Sequence, residues 1–419
     1  MWRTVRERLG NRLSAKYVIR YLIIALFFSI LMFLSAGIYR LIKWNAYIWF
    51  PEYVSMQLSS NEAVPDNQKH IIFTFVDHYE PGYEKEEAFS KHTAWMKDYR
   101  AATEGRTDSF GNRIKYTWYY PFDQKNDQML VSLTEAVNQG LGEIEFHWHH
   151  PPSDNERFPG QLREAVDWFN KFGALMTCGD EVKTAFSFIH GNWALDDSAV
   201  ADDGKRFCGV TREIDILHAQ GCYADLTFST IATEAQPSNK INSIYYVTDD
   251  DNRKSYDDGT LVKVGHVVND KFMMIQGPLS ISPTKLWRIE YGALEEYARP
   301  SIDRINEWID ANIHVSGRPE WVFVKLYSHG IQSPSIMKEH FGNLLADIAA
   351  VSKRRGFKYH YMSARELFNV VKAAEAGKTG NPESYRDFIV PKPCNRYFHT
   401  KVPVRITGFV DGNVIYEAI

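Results

Sequence analysis

Four apolar runs in this 419-residue chain end in histidine or carboxylate. IIFTFVD (71–77) closes on Asp77-His78 and continues as Tyr79-Glu80-Pro81-Gly82, and EIEFHWH (143–149) carries His147-Trp148-His149-His150-Pro151. TAFSFIH (184–190) ends at His190, with Trp193, Asp196 and Asp197 close behind, and WVFVKLYSH (321–329) ends in Ser328-His329-Gly330. On a strand, residues i and i+2 project from one face, so His147 and His149 can reach one ion. One carboxylate and two imidazoles with a position left open are what a hydrolytic zinc or similar divalent site requires. Such a metal acidifies its water and polarises the carbonyl under attack. A lone HxHH fits an exposed, ligand-free cluster equally well. Three separate strands ending in Asp or His at one rim favour the metal.

Two further groups have two readings each. Asp225, in YADLTF (223–228), is either a partner that orients a histidine or a strand-end carboxylate facing water. Trp118, Tyr119, Tyr120, Trp148 and Trp193 are either sugar-stacking platforms or core.

The elements that must position these residues alternate. β-branched and aromatic enrichment predicts strands at 71–77, 114–121, 143–149, 184–190, 223–228, 272–281 and 321–329. A 3.6-residue period predicts helices at 86–102, 127–138, 161–175, 212–219, 294–312, 336–354 and 364–376. Alternating βα units imply an α/β fold with a mostly parallel sheet, and seven or eight of them in about 300 residues favour a (β/α) barrel, whose active sites are built at the C-terminal strand ends. The barrel is expected over 69–372, with an Asn/Asp/Ser-rich insertion at 229–270 and a C-terminal extension at 373–419.

Ahead of it, Tyr21 to Tyr39 form nineteen uncharged residues bracketed by Arg20 and Arg40, just long enough to cross a hydrocarbon core as a helix. Six cations precede the span (Arg3, Arg6, Arg8, Arg12, Lys16, Arg20) and two follow it (Arg40, Lys43). That bias predicts a single-pass protein of the inner, cytoplasmic membrane, with residues 1–44 as basic tail and anchor and the main domain outside. A cleaved signal peptide is the rival, but the apolar stretch is longer than such a region usually is. Residues 45–68, with Pro51, Pro65 and a polar run, read as a stalk. Beyond residue 44 there are 40 Lys/Arg against 51 Asp/Glu, a net charge of −11 that argues against nucleic acid as a partner. The four cysteines (Cys178, Cys208, Cys222, Cys394) form no CxxC, and their pairing is left open.

Together these residues resemble the polysaccharide deacetylase family (the NodB-homology, carbohydrate esterase family 4 group), and look closest to its uncharacterised deacetylase-like branch. The resemblance spans roughly 69–370 and rests on motif order. FTFVDH (73–78) looks like the family's T-F-D-D-G motif, which implies Asp77 as a metal ligand. EIEFHWHHP (143–151) is similar to the histidine-pair motif, YADLTF sits where a fourth-motif aspartate is expected (Asp225), and KLYSHG (325–330) resembles the motif whose histidine is a general acid, here His329. The chain departs from the pattern at Val76, where the family has its catalytic-base aspartate, and FIHGNW lacks the arginine that pairs with that base. The family's second motif histidine would fall on Pro151, so His149 or His150 must substitute.

The resemblance implies a distorted barrel and a membrane-anchored, zinc-type metal-dependent hydrolase that deacetylates an envelope or exported polysaccharide, working beside polysaccharide synthesis or export proteins. Asp77, His147 and His149 or His150 would hold the metal. His329 would protonate the leaving group, oriented by Asp225, and the base would come from His78, Glu80 or Asp196. Two alternatives stand beside it: a barrel glycoside hydrolase using Glu80, Asp196 or Asp197, and a catalytically inactive carbohydrate-binding scaffold, which the missing base favours and the retained Asp/His set opposes.

Overall fold

The computed structural model describes side chains over residues 17–58, 64–201, 203–231, 233–282, 285 and 287–394, and the backbone alone for residues 2–16, Ser59 and the strands within 397–418. Ten strands form the main sheet: β1 (His70–His78), β2 (Tyr116–Pro121), β3 (Gly142–Trp148), β4 (Phe186–His190), β5 (Cys222–Asp225), β6 (Ile244–Val247), β7 (Thr260–Leu261), β8 (Phe272–Ile275), β9 (Trp321–Ser328) and β10 (Lys358–Tyr361). Their order is β9-β1-β2-β3-β4-β5-β8-β6-β7, with β10 beside the first half of β1. All pairings up to β8 are parallel, and β8-β6-β7 is antiparallel.

The βα alternation therefore yields the parallel-rich sheet expected of it; among the described residues no continuous ladder joins β9 to β7, and single bridges, Lys263 to Ser316 and Ala293 to Tyr327, lie along that gap. The 229–270 insertion supplies β6 and β7, which add antiparallel to β8.

Parallel strands are covered on both faces and so lack simple polar–apolar alternation; β1, buried from its second residue onward, is typical. Ile71, Phe73 and Phe75 pack into one core with the helices Lys85–Thr103, Asp127–Asn138 and Gly342–Arg355. Ile72 and Val76, on the opposite face, join a second core plugged by the helix Ala364–Glu375, every residue of which is buried. That helix starts on a capping box, Ser363 with Glu366, which satisfies two of its orphan N–H groups. Its charges are paired inside the fold: Arg365 bonds both carboxylate oxygens of Glu143, at 2.8 and 3.0 Å.

The N-terminal helix runs Trp2–Lys43, and its stretch Tyr17–Lys43 is long and apolar enough to cross a membrane. Leu22, Phe27 and Met32 on it are exposed. The segment expected to be a stalk packs instead. Ala46 and Trp49 are fully buried against Ile231, Leu279 and Ile289, and the helix Phe50–Ser59 follows them. A disulfide joins Cys178 to Cys394, while Cys208 and Cys222 are free and buried.

Candidate metal centre

Sheet register brings three strand ends level. Asp77 pairs with Ser328 and Trp118, and His147 with Pro121 and Ile189, so the residues just past β1, β3 and β9 share one rim. Strand alternation then decides what faces inward. Along β3, Glu143, Glu145 and His147 occupy one face, Ile144, Phe146 and Trp148 the other, and His149 continues the first.

Glu80, on the turn after β1, stands among four imidazoles. Its Oε1 lies 3.1 Å from His147 Nε2, 3.5 Å from His149 Nε2, 3.9 Å from His329 Nε2 and 4.0 Å from His78 Nδ1. The far nitrogens of three rings face acceptors. His147 Nδ1 donates to the Ile189 carbonyl at 2.7 Å, and His329 Nδ1 to Glu295 Oε1 at 2.8 Å. His149 Nδ1 makes a longer contact, 3.4 Å, to Asp123 Oδ1. In the neutral tautomer so assigned for His147 and His329, Nε2 is a bare lone pair turned toward a carboxylate. Lone pairs cannot bond an acceptor, so the cluster needs protons or a cation between them. Acceptor-tethered imidazoles are also how metal ligands are oriented and made more basic. The donor set of Glu80, His147 and His149 thus fits a divalent metal.

The electrostatics distinguish the histidines. Burial would raise Glu80, but the imidazoles around it, His147 first, bring it down to about 2. Burial pushes His78 well below its usual value, reinforced by His329, His147 and His149. At His329 burial also opposes the charge, yet the hydrogen bond and charge of Glu295 prevail and raise it. The His78 and His329 rings are 4.6 Å apart, one held neutral and the other favoured as imidazolium. Two titratable groups pushed apart in this way are the usual mark of an acid and a base. The centre is partly open: the His149 and His329 side chains keep 24 and 21% of their exposure. Trp193, whose ring centre lies 6.2 Å from His329, separates it from a cavity of about 520 Å³ that reaches Arg40 and Trp44 at the end of the N-terminal helix.

The other residues singled out in the sequence lie elsewhere. Asp77 precedes His78 on the strand and so points to the opposite face. There its Oδ1 accepts the Gly330 N–H at 2.7 Å, and burial raises its carboxyl to about 7. Asp225 is taken up by the Thr227 N–H and hydroxyl, at 2.9 and 2.7 Å, with burial again raising it to about 7; the acceptor that meets His329 is Glu295. His150, one residue beyond His149, turns to the outer face, to Glu213 and His190. Asp196 is held by the Ser255 N–H and Asp197 by Arg206 and Arg253, so neither opposes Glu80 as a second carboxylate. Trp118, Tyr119 and Tyr120 are fully buried core; of the proposed platforms, Trp193 alone borders the centre.

Sequence reading had given Glu80 no ligand role and missed Glu295 and Asp123 altogether. Asp123 sits on a single 3-10 turn, Phe122–Gln124, and Glu295 in a segment expected to be helical that is irregular until Ile302.

No family model matches the chain, and no curated protein is significantly similar to it.

Proposed function

We propose that this is a membrane-anchored, metal-dependent hydrolase of the polysaccharide-deacetylase type, acting on an acetylated carbohydrate at the outer face of the cell membrane. One observation carries the reading. Three imidazoles, two of them tethered at Nδ1 by hydrogen bonds to acceptors, converge through Nε2 on one carboxylate, at the C-terminal ends of parallel strands and open to solvent. Glu80, His147 and His149 would hold the metal, which supplies polarisation of the acyl carbonyl and acidification of water. His329, kept charged by Glu295, donates its Nε2 proton to the departing amine or alkoxide. His78, whose Nδ1 lies 4.0 Å from Glu80 Oε1, faces the centre and takes the proton of the attacking water, in place of the aspartate that Val76 replaces. Trp193 offers a sugar-stacking face beside both histidines.

The exposed apolar helix supports membrane anchoring, since Tyr17–Lys43 is long and apolar enough to cross a membrane and is mostly exposed, with Phe33, Gly37 and Leu41 among its few contacts to the rest of the fold. The Cys178–Cys394 disulfide supports an oxidising compartment for the domain. Full-length protein in detergent, assayed for acetate release from acetylated hexosamine oligomers, tests the activity. His147→Ala should remove about one metal ion per chain and reduce acetate release by about 10²-fold or more. Unchanged metal content together with unchanged release would refute it.

A further inference from the structure

The second face of the same strand end carries another cluster. His150, His190, Cys208 and Glu213 come from four separate segments, and all four side chains are buried. His150 Nε2 and His190 Nε2 are 3.1 Å apart and lie 3.2 and 3.3 Å from Glu213 Oε1. Cys208 Sγ is 3.4 Å from Glu213 Oε2. Donors around a tetrahedral ion at bond lengths of about 2.0–2.1 Å stand about 3.3–3.4 Å from one another, and slightly farther where one donor is sulfur. The two imidazoles and Glu213 Oε1 have the spacing of a coordination shell, and Cys208, which meets the other Glu213 oxygen, has its ligand atom within 4.8 Å of theirs.

Proton inventory points the same way. His150 Nδ1 is turned to the Pro151 carbonyl at 3.0 Å and His190 Nδ1 to the Gly191 carbonyl at 2.5 Å. Both Nε2 atoms are then lone pairs, facing each other and a carboxylate. No Lys or Arg pairs with Glu213; its ion-pair contacts among the described residues are the two histidines. The Val210 N–H donates to Cys208 Sγ at 3.4 Å, while burial and the Glu213 carboxylate push the thiol well above its usual range, so an ion must displace its proton. By contrast Asp108, His360 and Glu383, which also converge, are joined by Arg386 and require no further cation.

We propose that His150, His190, Cys208 and Glu213 form a second, structural zinc site, closed to solvent and independent of the catalytic reading above. Two neutral imidazoles, a thiolate and a carboxylate cancel the charge of one divalent ion, so the filled site is neutral in a shell that includes Trp148 and Phe158. Binding releases the thiol proton to solvent. Four protein donors leave no open position, which marks a structural rather than a catalytic zinc.

The site clamps backbone that needs it. Asn192, Trp193, Asp196 and Asp197 all adopt left-handed φ, from 51 to 56°. They lie between His190 and a segment that Glu213 grips through the Asp196 N–H at 2.7 Å. His149 and His150 are adjacent, and a Cβ on Gly191 would come within 2.3 Å of the His149 ring. The ion would therefore set the placement of both Trp193 and His149 at the neighbouring centre.

The test uses full-length protein with Cys222→Ala, which leaves Cys208 as the sole free thiol. Produced with cobalt(II) in place of zinc, it should show a near-ultraviolet thiolate-to-cobalt charge-transfer band. The band should persist in His147→Ala and vanish in Cys208→Asp, a variant that keeps a ligating donor and the fold. With zinc, native protein should bind about two ions per chain, falling to about one in His190→Ala and, separately, to about one in His147→Ala. Absence of the band in Cys222→Ala, or its survival in Cys208→Asp, overturns the site and leaves a proton-shared His/Glu network. Loss of the other ion alone in His147→Ala bears on the catalytic reading and not on this one.

Discussion

Glu295 holds both the backbone N–H and Nδ1 of His329, each at 2.8 Å, so it fixes the ring and favours its charge. Glu295→Gln keeps the shape but removes the charge. Acetate release should fall by about 10- to 100-fold, carried by kcat with little change in KM, and metal content should stay intact. A change confined to KM would mean that His329 only binds. At this scale the sequence was half legible. Period-2 projection rightly put His147 and His149 on one face, and the same rule places Asp77 opposite His78 and His150 opposite His149. Motif similarity pulled Asp77 into the ligand set because it aligns residue types without asking which face each one takes. Glu80 is two residues past the strand, where no alternation applies.

β3 shows what an element does beyond supplying ligands. Glu143, Glu145 and His147 share its inner face, so the strand that carries the metal ligand also carries buried acids. Burial raises Glu145 to about 8, against hydrogen bonds from Tyr223 and the Ser187 N–H. Its folded pKa lies above the unfolded value near 4.5. Its contribution to stability is therefore full below about pH 4.5 and is lost as pH rises through about 8. Urea midpoints of Glu145→Gln should be flatter than the parent's across that window and higher than the parent's at pH 8.5. Equal slopes would show that Glu145 ionises normally. Strand and helix positions were readable because burial repeats on a local period. The antiparallel edge was not, because β6 and β7 lie inside an insertion whose composition looks like loop.

Over the whole molecule, long-range contacts that no local pattern encodes tie the ends to the core. Trp49 buries itself against Leu279 and Ile289, so the domain packs directly against the segment that follows the N-terminal helix. The Cys178–Cys394 bond closes a loop with a sequence separation of 216 residues. Cys178→Ser should lower stability by about 2–4 kcal/mol, read as a lower urea midpoint that parent protein reproduces only under reductant. Trp193 lines the cavity that reaches Arg40 and Trp44 and also borders the rim of imidazoles. The central claim is that a catalytic metal lies at Glu80. Anomalous scattering at the zinc edge from crystals of the full chain tests this most directly. The expected result is a peak about 2.0–2.2 Å from His147 Nε2, His149 Nε2 and a Glu80 oxygen. A zinc-replete crystal with no peak there, and Glu80 bonded to the imidazoles through protons alone, would contradict it.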